Sequence, residues 1–407
     1  MLHDLSFLGE GMPWPPPQES ARLAKYEKNR LLFEGRHEAV FREQFRRIER
    51  VIGNFNEVIS YPVALNFQKI ISLKIADLLF GEEPVITLGG EGLNLSAFTE
   101  TAYEIAIDVS RYGTGLFHLH KEGPETKVSI SQPLYWFPVV SADNVKNICL
   151  HVVAHVSEEG GKRFLKAAIH EKGFVTTRHY EMDDARIKKL VYDSGRRPTG
   201  FRGFAIVAVN NVSTSESVYG LDDYFDLDGI ISEIEVRAAQ VARILDKHSS
   251  PSMTGPSSAL SKDEFGNWVF KGGSYIPNDT LDMGVQGEIK YITWDAQLES
   301  NFKQIALLLD MLYMLSECGA TLLGGSRAEG PAQSGTALKL RMMSPLAKVN
   351  RVKLKFTHAI KSIVAEMTGG DYEDVGIEWK DGLPTGAENP EPGTSNPGSS
   401  LPAPGSS

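Results

Sequence analysis

Two stretches of this chain repeat apolar residues in alternating steps of four and three. From Asp222 to Lys247 the positions are Leu227, Ile231, Ile234, Ala238, Val241 and Leu245; from Asp295 to Glu317 they are Leu298, Phe302, Ile305, Leu309 and Leu312. Seams of this kind predict long helices that cross at a shallow angle, each about 35–40 Å long at 1.5 Å per residue. Between them, residues 248–292 are rich in Ser, Pro and Gly, with short apolar runs at Trp268–Phe270 and Tyr275–Ile276. A small β element at the far end of a helical hairpin is expected there.

A third long period runs from Ser334 to about Met367, through Met342, Leu346, Val349, Val352, Phe356, Ile360 and Ile363. It predicts a helix of about 50 Å with a kink at Pro345. Before the hairpin, residues 12–18 read as a polyproline-type arm. A helix capped by Ser20 should run to about Phe33 and stop at Gly35, and a second segment should cover about His37 to Arg50. Pro62 favours a helix starting near Val63, with Leu65, Ile70, Leu73, Ile75, Ala76 and Leu79 on its apolar face up to Gly81. Leu95 to Tyr112, closed by Gly113, is another.

Residues 115–210 change to β-rich runs: 116–120, 134–140, 148–156, 164–170, 174–180 and 204–209, separated in places by Gly160, Gly161 and Gly173. The pattern predicts a mostly antiparallel sheet packed on helices, an α+β module. After Gly369 and Gly370, Val375 to Trp379 can add one strand. Residues 383–407 are Pro, Gly, Ser and Asn with almost nothing apolar, a composition that predicts disorder.

Length and composition describe an ordinary globular protein: 407 residues, 42% hydrophobic and 23% charged, large enough for two or three domains. Two cysteines, Cys149 and Cys318, make no disulfide framework. The start, Met1-Leu-His-Asp-Leu-Ser, lacks the basic and apolar regions of a signal peptide. The apolar run from Ile305 to Leu315 contains Asp310 and falls short of the roughly 20 residues that cross a bilayer. These features point to a reducing cytoplasm and no membrane. The formal net charge is −10, yet Lys339, Arg341, Lys348, Arg351, Lys353, Lys355 and Lys361 follow one another with no acidic residue until Glu366. Such segregation points to a solvated face, a polyanion or an acidic neighbouring subunit.

The glycine-rich loop before that basic helix, Cys318 to Gly335, has to be weighed against a phosphate-binding loop. Gly330 and Gly335 have the first spacing of G-x-x-x-x-G-K-[ST], but Thr336 and Ala337 stand where Lys and Ser/Thr are needed, and a helix precedes instead of a strand. The glycines therefore indicate a loop able to move, not a nucleotide site. His118 and His120 share one side of a strand, as do His151 and His155, without the further ligands a zinc site requires. Asp222, Asp223, Asp226 and Asp228 at the start of the first long helix, with Arg237, Arg243 and Lys247 toward its end, complement the helix dipole. No G-x-S-x-G, H-E-x-x-H or C-x-x-C occurs, so no catalytic centre, metal or cofactor is expected.

The order of elements and several local sequences resemble the portal proteins of tailed bacteriophages, in the branch typical of long-tailed siphophages. The resemblance is carried by Tyr26 to Gly35 (YEKNRLLFEG), by Asn66 to Pro84 (NFQKIISLKIADLLFGEEP), by Asp222 to Leu245, and by Ser334 to Arg341 (SGTALKLR). It spans residues 20 to about 380. It implies a ring, usually of twelve subunits, at one capsid vertex of the virion, assembled in the host cytoplasm. Double-stranded DNA would pass through its centre during packaging and ejection. Its partners would be the terminase large subunit, a head–tail adaptor, the major capsid protein and scaffold.

The resemblance maps residues 1–220 onto an N-terminal arm and wing, 221–247 and 293–317 onto two stem helices, and 248–292 onto a clip. Residues 318–334 map onto a tunnel loop, 335–382 onto the kinked helix and the end of the wing, and 383–407 onto the Pro/Gly/Ser tail. Where the family commonly continues into a helical crown, this chain has that tail, so a crown is absent or minimal. Stem packing is expected from Leu227, Ile231, Ile234, Val241, Leu298, Phe302, Ile305 and Leu309. Contact with DNA is expected from Leu322, Leu323, Gly324, Gly325, Ser326, Arg327 and Glu329; a loop with one arginine and one glutamate touches the duplex without gripping it. Phe265, Trp268, Phe270 and Tyr275 are candidate adaptor contacts in the clip, with Phe265 the foremost, while Trp268 and Phe270 also fit the clip's own core. Two other readings stay open. A nucleic-acid-processing enzyme of the packaging machinery would need a Walker lysine or clustered carboxylates, and a scaffold or minor capsid component would not form a closed ring.

Overall fold

A computed structural model describes residues 1–45, 63–249, 253–256, 261–262, 268–269, 275–277, 290–291, 298–324 and 340–380. Helices α1 (Ser20–Phe33), α2 (His37–Val40), α3 (Phe67–Phe80) and α4 (Ser96–Tyr112) come first, with strands β1 (Val85–Leu88) and β2 (Glu91–Gly92) between α3 and α4. Glu19, not Ser20, stands at the N-cap position of α1, and its side chain makes no capping hydrogen bond. The α3 helix begins four residues later than the Pro62 argument predicts, because the Asn66 side chain accepts the Lys69 N–H and caps it there. Ile70 consequently faces solvent, while Ile71 and Ile75 are buried. The part of the second helical segment beyond residue 45 lies outside the described residues; within it, Phe41 and Phe45 are buried.

The β-rich region forms two sheets. Strand β3 (Thr114–Glu122) lies between β4 (Glu125–Ile130) and β11 (Ile206–Asn210). The larger sheet contains β5 (Trp136–Val140), β6 (Ile148–Glu159), β7 (Lys162–Glu171), β8 (Phe174–Asp183), β9 (Arg186–Asp193) and β10 (Arg197–Pro198), all paired antiparallel. Residues 133–135 turn as a short 3-10 helix before β5, where an extended run was expected. The arm is also not a free polyproline segment. Phe7, Leu8 and Trp14 enter the core beneath the large sheet, with Trp14 4.8 Å from Phe137 by ring centroid, and Gly11 and Trp14 donate their backbone N–H groups to Ile187 and Ala185.

The hairpin helices are α5 (Asp228–Ser249) and α6 (Leu298–Leu315), which pack against each other. Between them lie β12 (Met253–Gly255), β13 (Ser261–Lys262), β14 (Trp268–Val269), β15 (Tyr275–Pro277) and β16 (Lys290–Tyr291), forming a three-stranded and a two-stranded sheet. After α6 come a five-residue helix α7 (Gly319–Leu323), the long helix α8 (Met343–Thr368) and β17 (Val375–Glu378), which returns to pair with β1. The fold is mixed helix and sheet, as α+β patterning predicts.

The expected long helix is interrupted just ahead of Pro345: Leu340 and Arg341 are helical, Met342 is a turn, and α8 begins at Met343 with Pro345 in its first turn. The proline's missing N–H costs nothing there, because first-turn donors have no acceptor within the helix. The 26 residues of α8 span about 39 Å. Its predicted apolar face is buried at Val349, Val352, Phe356, Ile360 and Ile363, and Phe356 meets Phe80 edge-on at 5.0 Å between ring centroids.

Candidate functional site

The chemistry of this chain concentrates where the α5–α6 hairpin joins the body. Gly113, at φ +81°, closes α4, and a Cβ on it would lie 2.3 Å from the Gly220 carbonyl oxygen. That close approach brings residues 220–223 against the end of α4. Asp222 then accepts the N–H groups of Tyr224 and Phe225, both at 3.0 Å, so the chain turns here and α5 starts at Asp228 instead of Asp222. Tyr224 is fully buried, its hydroxyl 2.7 Å from Ser72 Oγ.

The acidic run at this turn does more than complement a helix dipole. Asp222 pairs with Lys25 and Asp228 with Lys28 at 2.6 Å, tying the hairpin to α1. Asp223 accepts from Ser110 Oγ at 2.6 Å and from Asn211 Nδ2 at 2.9 Å. It also pairs with the buried Lys348 of α8, whose Nζ lies 2.9 Å from Asp223 Oδ1 and donates to the Ser316 carbonyl at 2.9 Å. Burial opposes the Lys348 charge, but Asp223 overcomes it and holds the ammonium above its ordinary range. One side chain thus joins the root of the first hairpin helix, the end of the second, and α8. Lys353 is likewise buried and donates to the Lys380 carbonyl at 2.6 Å, and Arg351 pairs with Glu317. Part of the basic run therefore holds the chain to itself instead of waiting for a polyanion.

A second buried pair fixes α5 further along. His37 Nδ1 lies 2.5 Å from Glu235 Oε1 and Nε2 lies 3.0 Å from the Leu32 carbonyl oxygen, so both ring nitrogens donate and the imidazolium is favoured. The Leu65 N–H adds a bond to the same Glu235 oxygen at 2.8 Å. Burial works against the charge on His37, yet Glu235 holds it above its ordinary 6.5. A raised value means the stabilisation is complete below about pH 6.5 and is lost as pH rises through the folded-state pKa. The urea midpoint of the wild type should fall between about pH 6 and pH 9 relative to His37→Gln, which lacks this proton. Parallel curves for the two proteins would rule out the charged pair.

Four expected stem residues, Leu227, Ile231, Ile234 and Val241, are buried. In α6, Leu298, Ile305 and Leu309 are half-buried, but Phe302 is 54% exposed. The helix is apolar on a second side too. Leu307, Met311 and Met314 repeat steps of four and three, and they are 54%, 39% and 68% exposed, with Leu315 beside them. Only Leu312 of α6 is fully buried in the described structure.

Leu322 and Leu323, expected in the DNA-facing loop, lie in α7 and pack half-buried against the main core. Gly324, at φ +77°, ends α7; Gly325, Ser326, Arg327 and Glu329 lie outside the described residues. Cys318 is buried and its thiol is pushed up to about 11, chiefly by burial, which leaves it unreactive. Trp268 and Tyr275 fall on β14 and β15, while Phe265 and Phe270 lie outside the described residues. Among the described residues, no group of three or more His, Cys, Asp or Glu is placed to hold a metal. His151 and His170 are lowered to about 4 and 3 by burial, with His151 accepting from Trp136 Nε1 at 3.2 Å, which fits packed neutral rings between two sheets. Among the described residues, no helix is long and apolar enough to cross a membrane.

No protein-family model matches this chain. No curated protein matches it either. Solved structures of gene transfer agent (GTA) particles contain similar chains. One, from the neck of an empty GTA particle computed with C6 symmetry, is 12% identical, with a TM-score of 0.44 over 91% of this chain and 87% of that one. Another, from the neck of a native GTA particle computed with C12 symmetry, is 13% identical, with a TM-score of 0.46 over 92% and 87%. A third, from the virion of a native GTA particle, is 12% identical, with a TM-score of 0.44 over 91% and 86%. At these values the function has to be argued from this chain's own residues.

Proposed function

We propose that this chain is a portal subunit, a non-catalytic ring component at one vertex of a phage capsid. The ring forms a conduit for double-stranded DNA in packaging and ejection and a docking platform for terminase and a tail adaptor. The observation that carries this reading is the second apolar seam of α6. A helical hairpin anchored at its root by buried ion pairs presents Leu307, Met311 and Met314 to solvent, on the side away from its own partner helix. Exposed contiguous apolar surface marks an association site, and a seam with heptad steps fits another helix. Identical hairpins meeting side by side, each offering one face and receiving another, close into a ring. The motif resemblance across residues 20–380 supports the same assignment, and the absence of a Walker lysine in the glycine-rich loop disfavours a packaging enzyme.

The glycine-rich segment that follows α7 in sequence is the proposed contact with DNA. Deleting residues 325–330 should leave ring assembly at the wild-type level, because the deletion spares both hairpin seams and the α7 core contacts. Heads packaged with the deleted chain should lose most of their DNA content. Wild-type content in purified heads would remove the loop's role.

A further inference from the structure

The segment after α8 runs back along it. Tyr372 Oη lies 2.7 Å from His358 Nδ1, Trp379 Nε1 donates to Thr357 Oγ1 at 2.9 Å, and the Lys380 carbonyl accepts from Lys353 Nζ at 2.6 Å. These contacts step from His358 to Lys353, toward the N-terminal end of the helix, and the described residues end there at Lys380. Next along α8 in that direction are Arg351, Asn350 and Ala347, all exposed.

These residues line a concavity of about 510 Å³ together with Leu354 and Trp379. Leu354 is 66% exposed, while Trp379 is half-buried, with its ring 5.5 Å from that of Phe80. The charge around this apolar surface has one sign. Arg351, Lys353 and Lys380 line the concavity, and no carboxylate of the described residues does. Arg351 pairs with Glu317 and Lys380 comes within 3.9 Å of Glu378, but both carboxylates stand outside the lining. Lys353 Nζ lies 5.6 Å from the centroid of the Trp379 ring.

The sequence that continues from Lys380 has the opposite character. Between residues 381 and 407 it carries Asp381, Glu388 and Glu391 and no Lys, Arg or His. Leu383 is its first large apolar residue, and Pro384 restricts Leu383 to extended geometry. Ala347 is about 9 Å from Lys353 along the helix axis, and three extended residues span about 10 Å. Leu383 is therefore within reach of the apolar wall.

We infer that residues 381–388 continue back along α8 and fill this concavity in their own chain. Leu383 seats against Leu354 and Ala347, and Asp381 and Glu388 face Arg351, Lys353 and Lys380. Opposed charge at the border of an apolar contact fixes its register. The seated segment covers the exposed leucine and closes this part of the basic run to any polyanion. The docking needs no second copy and stands whether or not the ring forms.

Hydrogen exchange of the full chain, read by mass spectrometry, tests it. Amides of residues 381–388 should exchange about tenfold slower than their free-chain rates, and those of residues 392–407 at free-chain rates. Leu383→Asp should bring residues 381–388 to free-chain rates, and so should Asp381→Lys with Glu388→Lys. Leu354→Asp, at an exposed position of the wall, should do the same from the other side. Exchange within α3 should stay at the wild-type rate in each variant. Free-chain exchange of residues 381–388 in the wild type, or protection that survives Leu383→Asp or Leu354→Asp, would overturn the docking. Protection that falls on about hundredfold dilution would assign the segment to a neighbouring copy and overturn it as well.

Discussion

Lys348→Met should destabilise the folded chain by about 3–5 kcal/mol, the usual cost of leaving a buried charge without its partner. The lysine side chain is 9% exposed and that of Asp223 is 6%, so water cannot replace the lost ammonium. The Ser316 carbonyl loses its donor at the same time. Methionine keeps most of the aliphatic volume, so the loss reports the charge and the hydrogen bonds rather than a cavity. Adding Asp223→Asn should recover a large part of the loss, because the amide still accepts from Ser110 and no charge remains buried. Urea unfolding of the three variants measures the coupling, and additive effects would mean that the pair does not hold the hairpin root.

Leu307→Asp with Met314→Asp should leave the subunit folded and abolish assembly. Both side chains are more than half exposed in the single chain, so aspartate there costs little in the monomer. In the proposed ring two uncompensated carboxylates would be buried at every subunit contact, which costs several kcal/mol each time. Charge placed at Ile234 is a poorer probe. That residue is buried in the chain's own core, so Ile234→Asp would unfold the subunit before assembly could be read. Sedimentation of the double variant should give a monomer with the wild-type circular dichroism spectrum, whereas rings of wild-type size would show that the second seam of α6 is not an interface.

Much of the fold follows from periodicity. The helical hairpin, the small β element within it and the core face of α8 rest on apolar spacing, which tertiary packing reinforces. The errors have local causes. Helix α5 starts late because Asp222 caps a turn, and the long C-terminal helix breaks at Met342 between helical residues on either side, where the Pro345 ring disfavours an unbroken run. Strands β4 and β9 go unseen because edge and exposed strands such as Arg186–Asp193 carry Lys and Arg in place of alternating apolar residues, while β1 is only four residues long. The hairpin root was not legible at all. Lys25, Lys28, His37 and Lys348 are far from Asp222, Asp228, Glu235 and Asp223 in sequence, and nothing local distinguishes a buried lysine from a solvated one. The one available signal was the acidic run Asp222–Asp228 on an otherwise amphipathic helix, which a dipole explanation absorbs too easily.

Negative-stain imaging of the purified full-length chain tests the central claim most directly. The account predicts closed rings of uniform diameter with a central hole, present for the wild type and absent for Leu307→Asp with Met314→Asp. Monomers, open filaments or compact dimers of the wild type at micromolar concentration would contradict it.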